Sequence, residues 1–260
     1  MRETVSIGTD DRAFSYGDSL FETCVLRAGG IRFWDDHWAR LREGMRLLEM
    51  QASDSFSAAR VGDFLVEVAR ANRLSATARL RLRVVRRPGG LYAPTQSAVD
   101  FFAEAAPHVA PPPVRYRVGI SERVRLTAHA WSHCKTGSAL PYVLAGLERR
   151  RRGLDELLLL DQTGALAEAS AANLFWEQDG ILHTPDLASG CVGGVMRLQV
   201  LRAARAAGVE VREGLFPPEA LQRAGRVFTT NAAGLVPLAS FAGATYDPAL
   251  PDWLGNLNGA

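Results

Sequence analysis

The stretch Ala106-Pro107-His108-Val109-Ala110-Pro111-Pro112-Pro113 divides this sequence into two parts. Four prolines in eight residues exclude a continuous helix or an inner strand, because proline fixes φ and lacks a backbone N–H donor. Such a segment is typical of a stiff, extended linker. We therefore predict a small N-terminal domain over residues 1–105, a linker over 106–113 and a larger C-terminal domain over 114–260.

Before the linker, strand and helix patterns are mixed. Residues 23–26 and 31–34 flank the turn sequence Ala28-Gly29-Gly30, which predicts a hairpin. Apolar residues recur at helical spacing from Trp38 to Leu48 and again over 61–69, which predicts two amphipathic helices. Residues 79–85 alternate strictly between arginine and apolar side chains until Val84, which predicts a strand with three arginines on one face.

The part after the linker has the same mixture. Residues 157–160 read as a buried strand, and Asp179-Gly180 marks a second hairpin. Gly193-Gly194 is expected to open a helix that ends near Gly208. An earlier helix is expected to turn its apolar side toward a core, with these residues on that side: Leu140, Val143, Leu144 and Leu147. Both parts together favour an α/β or α+β architecture.

The composition excludes several classes of function. A hydrophobic content of 47%, a charged content of 22% and a net charge of +2 are those of a globular protein that does not bind nucleic acid. The arginine run 149–152 is interpreted as a solvated helix end. No apolar run approaches the ~20 residues of a membrane span, and no signal peptide opens the chain. Three cysteines without metal-ligand spacing predict a reduced, cytoplasmic protein with no metal site.

Lys135 is the single lysine among 30 basic Lys and Arg residues. Arginine replaces lysine wherever only a positive charge is needed. It does not do so where a neutral amine must attack a carbonyl, because the guanidinium stays protonated. Lys135 is therefore a candidate imine-forming residue; the alternative is one surface lysine left over by codon bias.

Six stretches, taken in order, carry a resemblance to a known family: Tyr16-Gly17-Asp18-Ser19-Leu20-Phe21-Glu22-Thr23, His37-Trp38-Ala39-Arg40-Leu41, Cys134-Lys135-Thr136, Glu168-Ala169-Ser170-Ala171-Ala172-Asn173-Leu174-Phe175, Gly194-Val195-Met196-Arg197 and Thr230-Asn231-Ala232. Together they resemble the fold type IV pyridoxal-phosphate enzymes. This group includes the branched-chain and D-amino acid aminotransferases and 4-amino-4-deoxychorismate lyase. The resemblance covers nearly the whole chain. It implies two α/β domains, an active site between them and at the interface of a homodimer, and pyridoxal 5'-phosphate as cofactor.

The resemblance also implies roles for individual residues. Lys135 would form an imine with the cofactor's aldehyde and then move the substrate's α-proton, which requires an amine of lowered pKa. Glu168 would pair with the pyridine nitrogen and keep it protonated; the alternative is a turn glutamate exposed to water. Asn173 would orient the cofactor's phenolic side or simply close a turn.

The cofactor phosphate has its own set of candidates. Arg40 lies on the helix face opposite Trp38 and Leu41, so solvent is its default surrounding, whereas the resemblance places it on the phosphate. The helix start at Val195 and Met196 offers backbone N–H groups and a positive dipole end to an anion. The turn that contains Asn231 and Ala232 would supply further donors.

The substrate residues are less well defined. Arg81 and Arg83 share one face of a strand, where they either bind a substrate carboxylate or cover a solvent face. Phe21 is placed with them, and Arg27 would reach the site from a neighbouring subunit. Branched-chain aminotransferases carry tyrosine at the position of Leu140, and no histidine follows Arg87 as in well-known D-amino acid aminotransferases. We expect a transaminase acting on a small amino acid, D slightly favoured, and a 2-oxo acid such as 2-oxoglutarate or pyruvate. The alternative is aminodeoxychorismate lyase, to which several stretches look closer.

Overall fold

A computed structural model describes residues 6–258, and the chain separates into two units. The first consists of Met1–Val109 and Cys134–Ala139, and the second of Ala110–His133 and Leu140–Ala260. The segment around Lys135 therefore belongs to the first unit, although we expected it within the C-terminal domain. The physical reason is strand pairing, because Thr136 forms an antiparallel bridge with Leu20.

The first unit contains a four-stranded antiparallel sheet. Its strands, in the spatial order β2-β1-β3-β4, are β1 (Ser19–Arg27), β2 (Gly30–Ile31), β3 (Thr77–Arg86) and β4 (Val99–Pro107). The predicted β1–β2 hairpin is confirmed, with Ala28 and Gly29 at the positive φ values of 49° and 82° that its tight turn requires. β2 is shorter than we expected, because a helix already begins at Trp34.

Three helices accompany this sheet, namely α1 (Arg12–Tyr16), α2 (Trp34–Leu47) and α3 (Ala58–Ala71). The two predicted amphipathic helices are confirmed as α2 and α3. Leu41 of α2 and Leu65 of α3 are buried in one core with Leu80 and Leu82 of β3. The arginines of β3 alternate with these leucines, so they lie on the other face of the sheet.

The second unit contains two larger sheets. Three strands form the first, in the order β5-β6-β7: β5 (Val118–Leu126), β6 (Glu156–Asp161) and β7 (Leu166–Ala169). Five form the second, in the order β10-β9-β8-β11-β12: β8 (Asn173–Gln178), β9 (Ile181–Pro185), β10 (Val211–Gly214), β11 (Arg226–Asn231) and β12 (Gly234–Leu238). The short pair β13 (Ser240–Phe241) and β14 (Ala244–Thr245) follows. The predicted buried strand at 157–160 and the Asp179-Gly180 hairpin are both confirmed.

Two α-helices belong to this unit, α4 (Leu140–Arg151) and α5 (Val195–Ala206). Three one-turn to two-turn 3-10 segments join the other elements: Leu187–Ser189, Pro218–Arg223 and Asp252–Asn258. α5 begins after Gly194, as predicted. Within residues 6–258, no helix combines the length and the apolarity that crossing a membrane requires.

The core-facing side of α4 was predicted incorrectly. Leu140, Val143 and Leu147 are 66%, 55% and 47% exposed, whereas Ala145 and Glu148 are the buried residues of this helix. The physical reason is the polar anchor of α4. Glu148 accepts hydrogen bonds from the Ser121 hydroxyl and the Glu122 backbone, which turns this side of α4 toward β5 and the apolar stripe away from it.

Candidate active site

The segment that carries Lys135 is held to β1 by backbone hydrogen bonds. The Phe21 N–H donates to the Lys135 carbonyl at 2.9 Å, and the Gly137 N–H donates to the Ser19 carbonyl at 2.8 Å. β2 pairs with β1 only at Leu26 and Arg27, so the other end of this edge is available to the lysine segment. The position of Lys135 is therefore set by a regular strand-like pairing rather than by a loop alone.

The Lys135 side chain lies over an aromatic ring that it shares with an arginine. Lys135 Nζ is 4.8 Å from the centroid of the Phe21 ring, and Arg81 Cζ is 4.6 Å from the same centroid. Arg81 Nη1 approaches a Glu104 oxygen only to 3.7 Å. Among the described residues, Arg81 Nε is buried without a hydrogen-bond partner. An unsatisfied buried donor is costly, and an anionic ligand would satisfy it.

The other two candidate arginines differ from Arg81. Arg83 is paired directly with Phe21 in the sheet register and lies exposed on the same face. Arg27 lies at the opposite end of β1, six residues from Phe21, which is roughly 20 Å along a strand at about 3.3 Å per residue. Within one chain, the structure therefore brings Phe21, Arg81 and Arg83 together near Lys135 and leaves Arg27 apart.

Arg40 is not in solvent, although its helix face predicted that surrounding. Its side chain is 11% exposed. Arg40 Nε donates to Glu22 Oε1 at 2.9 Å, Nη2 donates to Oε2 at 2.5 Å, and His37 Nδ1 lies 2.6 Å from Oε2. α2 carries both His37 and Arg40, and β1 carries Glu22, so the sheet supplies a buried acceptor that helical periodicity alone does not indicate.

These contacts fix the charges of the group. Burial raises the pKa of Glu22, but the charge of Arg40 and the hydrogen bonds from His37 and Arg40 outweigh it, so this pKa lies below its usual value. Burial lowers the pKa of Arg40, and the Glu22 carboxylate more than restores it. Cys24, Glu22 and His37 place potential metal ligands within 4.8 Å of one another. Both Glu22 oxygens already accept hydrogen bonds, so we interpret the group as an ion-paired network that orients Arg40.

Glu168 is a buried carboxylate at the end of β7, with 4% of its surface exposed. The Tyr142 hydroxyl of α4 donates to Glu168 Oε1 at 2.6 Å, and the Val192 N–H donates to Oε2 at 3.2 Å. The alternative that Glu168 is a water-exposed turn residue is therefore wrong. The sequence analysis missed Tyr142, and no local pattern marks it, because its partner lies 26 residues away.

The first turn of α5 has the features of an anion site. Val195 and Met196 are buried, and no side chain caps the helix at Gly194. The first N–H groups of a helix lack intrahelical acceptors, and the helix dipole makes this end positive. A Cβ on Gly194 would lie 2.2 Å from Asn173 Oδ1, so only glycine leaves the backbone this close to the Asn173 amide.

Asn173 and Asn231 are both engaged with backbone. Asn173 Nδ2 donates to the Thr230 carbonyl at 2.7 Å, and Asn231 Nδ2 donates to the Ala171 carbonyl at 3.0 Å. Asn231 also accepts from the Ala233 N–H within the turn, and Ala232 lies at the tip of that turn. In the part of the chain that the structure describes, the buried Thr230 hydroxyl has no hydrogen-bond partner. This orphaned group lies beside the predicted donors, and sequence reasoning had assigned it no role.

Comparison with known proteins identifies the family. The family model described as amino-transferase class IV matches residues 19–241. The chain belongs to the class IV aminotransferases. It is 29% identical over 262 residues to the branched-chain-amino-acid aminotransferase of Escherichia coli K12, covering 93% of this chain and 82% of that protein.

Two solved class IV structures show the same fold. One is 4-amino-4-deoxychorismate lyase from Pseudomonas aeruginosa, which is 29% identical with a TM-score of 0.84 and matches over 98% of this chain and 94% of that one. The other is a branched-chain amino acid aminotransferase, from the organism abbreviated T.th., complexed with N-(5'-phosphopyridoxyl)-L-glutamate. It is 25% identical with a TM-score of 0.82 and matches over 96% of this chain and 85% of that one.

Class IV aminotransferases are pyridoxal-phosphate enzymes, and so is this protein. Its own residues fit that cofactor. They include one lysine for an aldehyde, a buried carboxylate for a pyridine nitrogen, and an uncapped buried helix start beside the unsatisfied Thr230 hydroxyl for a phosphate. The fit therefore rests on the donor set as well as on the family.

Proposed function

We propose that this class IV enzyme is a transaminase that exchanges an amino group between an amino acid and a 2-oxo acid. The observation that carries the proposal is Arg81 Nε, a buried donor without a partner among residues 6–258, on an arginine that shares the Phe21 ring with Lys135. A carboxylate is the ligand that a guanidinium binds best. Arg81 would therefore bind the substrate carboxylate, and the exposed Arg83 on the same face would favour a second carboxylate, as in glutamate or 2-oxoglutarate.

The remaining candidates receive roles on the same basis. When bound, pyridoxal phosphate supplies an aldehyde for the imine and a ring that accepts electrons from the substrate's α-carbon. Lys135 would supply the amine and carry the α-proton on Nζ. Glu168 would hold a proton on the pyridine nitrogen. Arg40 and the first N–H groups of α5, at Val195 and Met196, would bind the phosphate.

The alternative is 4-amino-4-deoxychorismate lyase. The observation in its favour is the extent of the match to the Pseudomonas aeruginosa lyase structure, of which this chain covers 94%, against 82% of the Escherichia coli aminotransferase. The substrate of a lyase also carries carboxylates, so Arg81 would serve either reaction.

One experiment separates the two functions. The enzyme with bound pyridoxal phosphate is mixed with D-alanine, D-glutamate or L-glutamate, and the visible absorbance of the cofactor is followed. A transaminase converts the cofactor to its amine form with at least one of them, and we expect a D-amino acid to react fastest. If none reacts and aminodeoxychorismate yields pyruvate, the lyase function replaces our proposal.

We also propose that the protein acts as a homodimer in the cytoplasm. The exposed apolar stripe of α4, formed by Leu140, Val143 and Leu147, supports association with a second copy, because contiguous exposed apolar surface marks interaction sites. Three buried free cysteines, at positions 24, 134 and 191, are compatible with a reducing compartment. Light scattering coupled to size-exclusion chromatography tests the dimer.

A further inference from the structure

Glu168 receives a hydrogen bond on each carboxylate oxygen from a different element of the second unit. Tyr142 in the first turn of α4 donates to Oε1 at 2.6 Å. The N–H of Val192, in the loop before α5, donates to Oε2 at 3.2 Å. Two donors from separate elements fix both the position and the plane of a carboxylate, which one donor does not.

We propose that Tyr142 is a positioning residue that keeps Glu168 as an oriented carboxylate and thereby holds the proton on the pyridine nitrogen of the cofactor. This inference rests on the proposed role of Glu168. The physical basis is the cost of burying a charge, since a carboxylate that is 4% exposed needs strong donors to stay ionised. A charge-assisted O–H···O bond of 2.6 Å is such a donor.

The direction of this hydrogen bond is fixed by the electrostatics of Tyr142. Burial, and then the charge of Glu168, raise the pKa of the Tyr142 hydroxyl far above its usual range. The phenol therefore keeps its proton at every pH at which the protein is folded, and it acts toward Glu168 only as a donor. Without it, the Glu168 carboxylate becomes more basic and competes with the pyridine nitrogen for the proton.

A purely structural role for Tyr142 is the competing explanation, and α4 offers a matched control. Glu148, six residues along the same helix, accepts a hydrogen bond of 2.7 Å from the buried Ser121 hydroxyl. Ser121→Ala removes a buried hydroxyl-to-carboxylate bond from the same helix without touching Glu168. If Tyr142 only anchors α4, Tyr142→Phe and Ser121→Ala should have similar consequences.

The experiment uses the full-length enzyme reconstituted with pyridoxal phosphate labelled with ¹⁵N in the ring. In the wild type and in Ser121→Ala, we expect the ¹⁵N resonance of a protonated pyridine. In Tyr142→Phe, the resonance should move toward the neutral position and kcat should fall roughly tenfold or more, the size expected for one hydrogen bond to a charged group. A ¹⁵N resonance in Tyr142→Phe that matches Ser121→Ala would overturn the inference.

Two further measurements keep the result unambiguous. If Tyr142→Phe does not fold, site-specific 3-fluorotyrosine at position 142 strengthens the donor without removing it. The ¹⁵N resonance should then stay fully protonated and the pyridine should hold its proton to higher pH than in the wild type; an unchanged titration contradicts the proposal. Failure of the proposed function has a different signature, since wild-type protein would then bind no pyridoxal phosphate or Glu168→Gln would leave the ¹⁵N resonance unchanged.

Discussion

Lys135 Nζ lies 4.8 Å from the centroid of the Phe21 ring, and the backbones of the same two residues are joined by a hydrogen bond of 2.9 Å. The amine and the ring are therefore fixed relative to each other by both main chain and side chain. Arg81 occupies the same ring at 4.6 Å. Each cation–π contact contributes about 0.5–1 kcal/mol at a partly exposed site, so Phe21 organises two positive groups around one position.

Reduction with borohydride in the presence of pyridoxal phosphate should label the chain at Lys135, because no other ε-amine exists in the sequence. Mass spectrometry of the digested protein checks the position. Lys135→Ala should lose the label and the visible absorbance. Arg79→Lys is the control, since it adds a second lysine at an exposed position of β3, and that lysine should remain unlabelled. Labelling at position 79 instead of 135 would contradict the assignment.

Arg81→Gln should raise KM for the amino acid substrate by about 10- to 100-fold while changing cofactor affinity little. The reason is the loss of a charge-assisted hydrogen bond worth about 1.5–3 kcal/mol. Steady-state kinetics provide the measurement. Arg79→Gln, a change to the exposed arginine two residues earlier on the same face, should leave KM nearly unchanged. Equal effects of the two variants would show that the face acts only through its overall charge.

Glu22→Gln should lower the free energy of unfolding at neutral pH by about 3 kcal/mol, because it leaves Arg40 buried without its carboxylate. The pKa of Glu22 lies below its ordinary value of 4.5, so the folded state favours the charged form. Its stabilisation is complete above the ordinary pKa and is lost as pH falls through the lower folded value. Thermal unfolding at several pH values should therefore show the wild type and Glu22→Gln converging below roughly pH 4.

The control for this prediction is Glu43→Gln on the same helix. Glu43 pairs with Arg46 at 2.7 Å on the surface, where an ion pair contributes about 0–1 kcal/mol. This variant should unfold almost like the wild type at neutral pH. A Glu22→Gln variant that behaved like Glu43→Gln would show that the buried pair does not support the fold.

Gly194→Ala should weaken the binding of pyridoxal phosphate. The added Cβ would lie 2.2 Å from Asn173 Oδ1 and 2.6 Å from Nδ2, so the amide and the start of α5 must move apart. Fluorescence titration of the cofactor-free protein measures the affinity, and we expect a loss of roughly tenfold or more for a displaced phosphate contact. Gly146→Ala is the control, because a Cβ there meets no atom within 4 Å. Its affinity should equal that of the wild type.

Val143→Glu should convert the proposed dimer into a monomer, because a charge at the centre of an apolar contact must be desolvated without a partner. Light scattering on the purified protein gives the mass directly. Leu215→Glu is the matched control, since Leu215 is 51% exposed and lies outside the stripe. A dimer that survives Val143→Glu would place the interface elsewhere on the chain.

Local sequence patterns predicted much of the secondary structure. The arginine–leucine alternation of β3, the hairpin at Ala28-Gly29 and the helix start after Gly194 all appear in the structure. Each depends on backbone preferences within a few residues, and those preferences are carried by the side chains themselves. The stripe on α4 failed for the complementary reason. Periodicity shows which residues share a helix face, but the partner of that face is decided by packing.

The candidate site divides in the same way. The sequence by itself determined the amine, because Lys135 is the only lysine and no other residue of the chain supplies an ε-amine. Only the tertiary structure decided which residues support it. Glu22 meets Arg40 across 18 residues, and Tyr142 meets Glu168 across 26. Such pairs arise because a buried charge must find a donor or a counter-charge wherever the fold brings one, and that location is a property of the packed chain.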